Sequence, residues 1–475
     1  MAVACSGGGP LLVNPEATPP DSVESAASPT SGPGSVTNPV TGLSSAATKP
    51  DSVTPQSKDP VGISLPSTTA QAQPTTPGNA QPEAFYAYTH HRSDGNRLVS
   101  GRGSLPNATP LDIPLTGTPR WLVAAPFAGG ILWVVVLKDG LVQAFLVVGN
   151  AVTEQTVSPN QLPPGMPPVL KVQNGQAELL VPPGPAASSL TPPAILEPDG
   201  GTVYLRDEGD LVVSGDAEAR LSIDALPDAR LLTDDDDRML ILTGPTTIYP
   251  DGVLGDDIEA GGFTLVRAAP ELTIESAVEL TGEVIEGISA IWTDLNGDGT
   301  REIIVTASNA DRGARLLVFD ERGNQIAAGQ AVGRGSRWRH QLAAAPFGPG
   351  GEMEIVDVLT PHIGGVAEFF RLEGDELKVV AAVSGFRSHS IGSRNLDMGL
   401  AGDFDGDGVV ELAVPTQDLS RLGFIRRTQD GAEVAWSMPI GGTAATNIAA
   451  ATGEDGRLAL GIGREDNVLR VWTSP

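Results

Sequence analysis

The chain has 475 residues, of which 40% are hydrophobic and 19% are charged, and its net charge at pH 7 is −28. This negative charge disfavours electrostatic binding to nucleic acid or to an anionic membrane surface, so we expect neither as a partner. The single cysteine, Cys5, excludes disulfides within the chain, and no stretch approaches the roughly 20 apolar residues that cross a membrane as a helix.

The first part of the chain has the composition of a tether. From Gly7 to about Glu83 it consists mainly of Pro, Ser, Thr, Gly and Ala. Such a segment cannot bury enough apolar surface to offset the entropy of ordering, so residues 1–84 are predicted to form a disordered, semi-stiff linker.

The start of this linker carries a possible anchor. The segment Ala2-Val3-Ala4-Cys5-Ser6-Gly7 resembles the end of a bacterial lipoprotein signal, in which small residues precede the cysteine that is lipidated. The resemblance implies lipidation of Cys5 and a translation start upstream of Met1. We therefore expect an extracytoplasmic protein that is lipid-anchored to the cell envelope or secreted, and that meets the membrane only through Cys5.

A repeat begins after the linker and runs to the end of the chain. Leu122–Phe127 (LVAAPF) recurs as Leu342–Phe347 (LAAAPF), each copy after a tryptophan and before a Gly-Gly pair and another apolar run. Similar units start near residues 118, 166, 228, 287, 339, 397 and 445, roughly 48 to 62 residues apart, which is typical of four-stranded propeller blades. Residues 85–475 are therefore predicted to form an all-β, seven-bladed β-propeller; two stacked β-sandwiches are the alternative.

The two ends of the repeat predict how the ring closes. The last unit has only three strands before the chain ends, whereas Leu111–Gly117 is similar to Trp436–Gly442, a fourth strand that leads into the next unit. An N-terminal strand is therefore expected to complete the last blade and to protect two sheet edges.

Two turns contain acidic residues at one common spacing. Side-chain oxygens fall at positions 1, 3 and 5 of each turn, a backbone carbonyl is available at position 7, and a carboxylate falls at position 9. Six to eight oxygens suit a hard cation such as Ca²⁺, although Asp and Gly also favour turns without any metal. The residues are Asp294, Asn296, Asp298, Thr300 and Glu302 in the first turn, and Asp403, Asp405, Asp407, Val409 and Glu411 in the second.

These turns resemble the FG-GAP and VCBS repeats, the calcium-binding blades of integrin α-subunit propellers and of many bacterial surface proteins. The resemblance implies two Ca²⁺ sites, each in the hairpin between the first two strands of a blade. Thr300 and Val409 would bind through their carbonyls and the other residues through side chains. The family's Phe-Gly and Gly-Ala-Pro signatures are absent, so integrin-like ligand binding does not follow.

No catalytic motif is present, and we expect no catalytic residues. His340, His362 and His389 lie in adjacent late units and could meet at the ring centre, either as a site or as structural residues. The polar segment Arg387–Asp397 (RSHSIGSRNLD), which includes Arg394, is either a recognition loop or a connection that satisfies backbone groups.

The sequence thus predicts a monomeric, non-catalytic, calcium-binding surface propeller whose partner is a protein or a glycan. An extracellular enzyme on a propeller scaffold, such as a polysaccharide lyase, is the alternative, and a purely structural envelope component is a third hypothesis.

Overall fold

The structure is a computed structural model that describes residues 84–184, 186–196, 201–215, 218–335 and 337–474. These residues belong to one compact unit, Pro77–Pro475. The predictions about the linker up to residue 83 and about Cys5 lie outside the described residues. Within the described part of the chain, no helix has the length and apolar character needed to cross a membrane.

Nearly all regular structure is β-strand, with one short 3₁₀ helix at Leu105–Asn107. The strands of the first half of the chain are β1 (Phe85–Tyr88), β2 (Leu98–Arg102), β3 (Pro110–Pro114), β4 (Pro119–Phe127), β5 (Gly130–Leu137), β6 (Val142–Val148), β7 (Ala151–Gln155), β8 (Val169–Gln173), β9 (Gln176–Leu179), β10 (Ala194–Ile195), β11 (Thr202–Leu205), β12 (Asp210–Ser214), β13 (Glu218–Ser222), β14 (Leu232–Thr233) and β15 (Arg238–Thr246).

The remaining strands are β16 (Glu259–Arg267), β17 (Thr273–Glu279), β18 (Val284–Ile285), β19 (Ile291–Thr293), β20 (Glu302–Ser308), β21 (Arg315–Phe319), β22 (Gln325–Gly329), β23 (Arg339–Ala345), β24 (Glu354–Leu359), β25 (Gly365–Glu373), β26 (Glu376–Phe386), β27 (Leu400–Asp403), β28 (Glu411–Pro415), β29 (Arg421–Thr428), β30 (Gly431–Pro439), β31 (Ala444–Thr452), β32 (Leu458–Arg464) and β33 (Val468–Thr473).

Most strands pair with their neighbours in the chain as antiparallel meanders. In chain order the sheets are sheet 1 (β4–β7), sheet 2 (β1, β8 and β9), sheet 3 (β10–β13), sheet 4 (β14–β17), sheet 5 (β19–β22), sheet 6 (β23–β26), sheet 7 (β27–β30, with β2 on its inner edge) and sheet 8 (β31–β33 with β3). Short pairings through β18, and between β22 and β26, join sheets 4, 5 and 6 edge to edge.

Hydrophobic clusters join each sheet to the next and close a ring. Separate clusters link sheets 1 and 2, sheets 3 to 5, sheets 5 and 6, sheets 6 and 7, sheets 7 and 8, and sheets 8 and 1. Sheets 2 and 3 meet where Pro167 and Pro168 share a small cleft with Pro192 and Pro193. A closed ring of twisted antiparallel sheets is a β-propeller, so the predicted fold is confirmed.

When the 13-stranded sheet is divided into sheets 4, 5 and 6, the described strands form eight sheets, whereas seven blades were predicted. The interval that begins near residue 166 contains two of them, sheet 2 and sheet 3. The repeat signal is lost here because β8 and β9 form a very short hairpin whose inner strand, β1, comes from the distant N-terminal segment. A sheet with only two of its strands in sequence cannot give the four-strand period.

The ring is closed by strands from the N-terminal segment, as predicted. β3 pairs antiparallel with β33, with Leu111 opposite Val471, and supplies the outermost strand of sheet 8. β1 supplies the inner strand of sheet 2, with Tyr88 opposite Val169, and this second contribution was not predicted.

The propeller has two faces that are distinguished by the direction of the strands. Successive hairpins of an antiparallel meander lie at opposite ends of its strands. We call the face with the links between sheets and the hairpins joining second to third strands the linker face. The opposite face, with the first and third hairpins of each sheet, is the hairpin face. Phe85 lies there, because it shares a cleft with Pro126, Gly101 and Thr452 at the ends of β4, β2 and β31.

Residues Thr89–Arg97, which we call the channel segment, join β1 to β2 and contact four sheets in turn. The backbone N–H groups of Thr233, Trp292 and Ala401 donate to carbonyls of this segment at 2.9, 3.0 and 2.8 Å. The Asn96 side chain donates to the Ala344 carbonyl at 2.7 Å and accepts from its N–H at 3.0 Å. The centre of the ring is therefore occupied by the protein's own chain.

Candidate metal centre

The two acidic turns occupy equivalent hairpins of two sheets. The first turn joins β19 to β20 in sheet 5, and the second joins β27 to β28 in sheet 7. Both are first hairpins, so both lie on the hairpin face. Each turn therefore joins the first two strands of its sheet, the position that the sequence resemblance implied.

The second turn is shaped by its own side chains. The Asp403 carboxylate accepts from the N–H groups of Gly406 at 2.7 Å and Gly408 at 3.1 Å. Asp405 accepts from the N–H of Asp407 at 3.0 Å, and Asp407 accepts from that of Val409 at 2.8 Å. These bonds fold the loop around its own carboxylates, and Gly406 and Gly408 supply the left-handed backbone, with φ of 86° and 91°.

The carboxylate at position 9 of the second turn, that of Glu411, is buried. Its side chain is fully buried, its Oε2 accepts from the Phe404 N–H at 2.8 Å, and its Oε1 has no hydrogen-bond partner. Burial, together with the charges of Asp405, Asp407 and Asp403, raises the pKa of Glu411 to about 8, although the hydrogen bond from the Phe404 N–H opposes the shift. Ligand oxygens of Asp403, Asp405 and Glu411 lie within 4.8 Å of one another.

These residues fit a hard divalent cation. A buried carboxylate oxygen without a partner, beside two further carboxylates, has a large desolvation cost that a bound cation would offset. Carboxylate and carbonyl oxygens are also the ligands that Ca²⁺ prefers.

The first turn has the same hydrogen bonds from its backbone, but the glutamate at position 9, Glu302, has a different environment from Glu411. Asp294 accepts from the N–H groups of Gly297 at 2.7 Å and Gly299 at 2.9 Å, and Asp298 accepts from that of Thr300 at 2.7 Å. The Asn296 amide nitrogen donates to Glu302 Oε1 at 2.8 Å.

The two turns therefore differ in how far their acids converge. Among the described residues, only the second turn brings three acidic or histidine ligand atoms within 4.8 Å. An Asn at position 3 replaces one carboxylate of the first turn, so that turn has one negative charge fewer for a cation.

The second turn also forms hydrogen bonds with the segment between β2 and β3. The Gly103 N–H donates to the Asp403 carbonyl at 2.7 Å, and the Leu105 N–H donates to the Phe404 carbonyl at 3.0 Å. Residues 103–107 then lead into β3, so the turn of sheet 7 contacts the chain that completes sheet 8.

A buried ionic cluster at the ring centre was missed by sequence reasoning. Asp397 accepts from Arg97 Nε at 2.6 Å and from Arg230 Nη1 at 2.8 Å, and all three side chains are at most 5% exposed. Burial alone would raise the pKa of Asp397, but Arg230 and Arg97 hold it well below its usual range. The three residues lie far apart in sequence, in segments without periodicity, so no pattern marked them.

The three late histidines do approach one another. The ring centroid of His389 lies 4.9 Å from that of His362 and 6.1 Å from that of His340. His340 Nδ1 lies 2.8 Å from Ser388 Oγ, and His389 Nε2 donates to the Ser393 carbonyl at 2.5 Å. Burial lowers the pKa of His389 to about 3, so we read the cluster as neutral and structural.

The polar segment that contains Arg387 and Arg394 makes internal contacts. Arg394 Nε donates to Asp228 at 2.6 Å, and its Nη2 pairs with Asp256. Arg387 Nε donates to the His389 carbonyl at 3.1 Å. These bonds hold the loop between sheets 6 and 7 against the hairpin of sheet 4.

No protein-family model and no curated protein matches the chain. BamB from Moraxella catarrhalis is similar in structure, with a TM-score of 0.45, 12% identity, and coverage of 77% of this chain and 97% of that chain. The C-terminal WD40 domain of Sif2 has a TM-score of 0.45 and 11% identity, with coverage of 77% of this chain and 99% of that chain. KlAtg21 in complex with the coiled-coil of AgAtg16 has a TM-score of 0.40 and 13% identity, with coverage of 75% of this chain and 95% of that chain. With values this low, the fold assignment rests on the strand pairing and hydrophobic clusters described above.

Proposed function

We propose that this propeller is a non-catalytic, calcium-binding surface module that binds a protein or a glycan outside the cytoplasm. The observation that carries the calcium part is the unpartnered, buried Oε1 of Glu411 beside Asp403 and Asp405. In the proposed sites, Asp403, Asp405, Asp407, Glu411 and the carbonyl of Val409 hold one ion. A second ion is bound more weakly by the first turn, through Asp294, Asn296, Asp298, Glu302 and the carbonyl of Thr300.

A calcium ion held in these turns would supply positive charge to the carboxylates. The hydrogen bonds from backbone N–H groups to the Asp carboxylates keep the loops folded. Glu411, the first residue of β28, connects the site to that strand. Because the ligands converge only in the folded chain, calcium would stabilise that state by an amount that rises with the logarithm of its concentration once this exceeds the dissociation constant.

Thermal unfolding in EGTA and in millimolar calcium tests the two sites. We expect calcium to raise Tm, Asp407→Ala to abolish most of the rise, and Asp298→Ala to reduce it less, because the first turn has fewer converging carboxylates. Asp455→Ala is the matched control, since Asp455 lies in the equivalent first hairpin of sheet 8. Equal Tm values in EGTA and in calcium would mean that neither turn binds calcium.

Internal contacts of the polar groups favour binding over catalysis. A lyase would need His389, Arg387 and Arg394 to surround a substrate, whereas His389 is fully buried and Arg394 is paired with two carboxylates. The channel segment also fills the ring centre, which leaves the faces of the disc as the surfaces for a partner.

The anchor is a separate part of the proposal. Small residues before the single cysteine support lipidation of Cys5, with the chain up to about residue 84 as the tether. Mass spectrometry of the N-terminal peptide from native material should give Cys5 with a diacylglycerol and an acylated amine. An unmodified Cys5 in that peptide would remove the anchor and leave the propeller proposal intact.

A further inference from the structure

Three isoleucines on the linker face are unusually exposed. Among the large hydrophobic side chains of the described residues, Ile363, Ile391 and Ile248 have the highest exposures, at 80%, 67% and 61%. Ile248 follows β15 in the hairpin to β16, Ile363 lies in the hairpin from β24 to β25, and Ile391 lies in the link from β26 to β27. All three positions belong to the linker face.

The loops that carry these isoleucines contact one another. Gly392, next to Ile391, donates its N–H to the Val253 carbonyl at 2.8 Å. On the other side, the rings of His362 and His389 lie 4.9 Å apart, which places the loop of Ile363 against the loop of Ile391. The loops that carry the three isoleucines therefore form one part of the linker face, and we call the three side chains together the isoleucine surface.

The surface is held in shape before any partner arrives. Arg394 bridges from the loop of Ile391 to Asp228 and to Asp256 in the hairpin of sheet 4. Pre-organised loops lose less conformational entropy on binding, so more of the interaction energy appears as affinity. Exposed apolar groups on such loops mark binding surfaces more often than isolated exposed side chains do.

The charge around the surface limits the partner. The hairpin Thr247–Ile258 carries Asp251, Asp256 and Asp257 and has no Lys or Arg. In the loop of Ile391, Arg394 pairs with Asp256 and Arg387 donates to the His389 carbonyl, whereas Asp257 is exposed. The whole chain has a net charge of −28, which disfavours a second copy of the chain and an anionic lipid surface alike.

We propose that the isoleucine surface docks a protein segment in which apolar side chains are flanked by Lys or Arg. This proposal rests on the proposed function, a propeller that binds a partner, and it assigns that partner to the linker face. The isoleucines would be covered by the apolar side chains, while Asp257 would face the basic residues.

Selection of phage-displayed random dodecapeptides on the calcium-loaded protein tests the proposal. We expect enriched peptides to contain an aliphatic or aromatic residue with Lys or Arg nearby. Ile391→Asp and Ile363→Asp should weaken their binding about tenfold or more. Ile274→Asp and Val434→Asp are matched controls, because these side chains are 48% and 45% exposed on the outer strands β17 and β30 and should leave binding unchanged.

Other outcomes overturn the proposal in distinguishable ways. Enriched peptides that bind the Ile391→Asp and Ile363→Asp variants as well as wild type would move the site elsewhere and leave the binding module standing. Enrichment of acidic peptides would contradict the charge argument, and no enrichment at all would count against both proposals. A concentration-dependent dimer in sedimentation, lost in Ile391→Asp, would make a second copy the partner. Ile391→Ser repeats the test if the Asp variant has a lower Tm than wild type.

Discussion

At the scale of single residues, the ring centre is held by groups that are buried together with their partners. Arg97 and Arg230 converge on Asp397 from segments 300 and 167 residues away in the sequence. Removing one member of such a buried cluster leaves the others charged without compensation, whereas the intact cluster fixes the register of the channel segment. We regard Asp397 as the residue that determines where the N-terminal segment crosses the ring.

His389 makes the stability of the fold depend on pH. The ring is fully buried and lies near His362, Arg387 and Arg120, whose charges act with burial to lower the pKa of His389 to about 3; His340 lies beside it. The unfolded chain has a histidine pKa of about 6.5. Between these values the unfolded state takes up a proton that the folded state does not, so the stability that His389 contributes is complete at pH 7 and falls as the solution is acidified.

His389→Gln tests this dependence, because glutamine keeps a donor for the Ser393 carbonyl. Between pH 7 and pH 5 the free energy of unfolding of the wild type should fall by about 2 kcal/mol more than that of the variant. Buried acids such as Glu259, with a pKa raised to about 8, have the opposite trend, but they are common to both proteins and cancel in the difference. Parallel pH curves from urea denaturation would contradict the assignment.

At the scale of elements, the second acidic turn and the N-terminal segment are in direct contact. Gly406 has a φ of 86°, and a Cβ there would lie 2.5 Å from the Gly103 carbonyl oxygen. Gly297, at the same position of the first turn, has a φ of 78° with nothing within 4 Å of an added Cβ. The two glycines share one backbone requirement and differ only in the neighbour.

Gly297→Ala and Gly406→Ala therefore form a matched pair. Alanine at either positive φ should cost roughly 1–2 kcal/mol, and at Gly406 the forced shift of Gly103 should add roughly 1–3 kcal/mol. Amide hydrogen exchange should become faster in residues 103–114 of the Gly406→Ala protein and stay unchanged in the Gly297→Ala protein. Equal amide exchange rates of residues 103–114 in the two variants would mean that the second turn does not contribute to ring closure.

Elements with a local signature could be predicted from sequence, and elements without one could not. β3 was predicted because its segment is similar to another fourth strand, and the two acidic turns were placed in hairpins because their residues are spaced along nine consecutive positions. β1, β2 and the channel segment were missed, because a polar stretch such as Thr89–Arg97 has no apolar period and its partners lie hundreds of residues away. The same non-local pairing hid sheet 2.

Within the candidate site, the sequence identifies the oxygen-bearing residues of each turn but not how far their side chains converge. The sequence gives both turns nearly the same ligands, and only the structure shows that Glu411 has an unpartnered oxygen while Glu302 accepts from Asn296. Side-chain burial and the direction of an amide group depend on packing that spacing does not encode.

At the scale of the whole molecule, the N-terminal segment is a part of sheets 2, 7 and 8 at once. A protein that begins at residue 118 would lose β1, β2 and β3 together with Arg97. We expect it to lose the single cooperative unfolding transition of a protein that begins at residue 84, and to aggregate through the open edges of sheets 2 and 8. Calorimetry of the two proteins decides this, and an unchanged transition would contradict the role of the segment in closing the ring.

The path of this segment also sets the order of events during synthesis. Residues Phe85–Pro114 are synthesised before the rest of the propeller, yet Arg97 must wait for Asp397, and Asp112 must wait for Arg470, 358 residues later. The ring therefore cannot close before β33 has been synthesised, and until then the central strands keep unpaired edges. Folding of the nascent propeller therefore depends on β3 staying unpaired until β33 has been made.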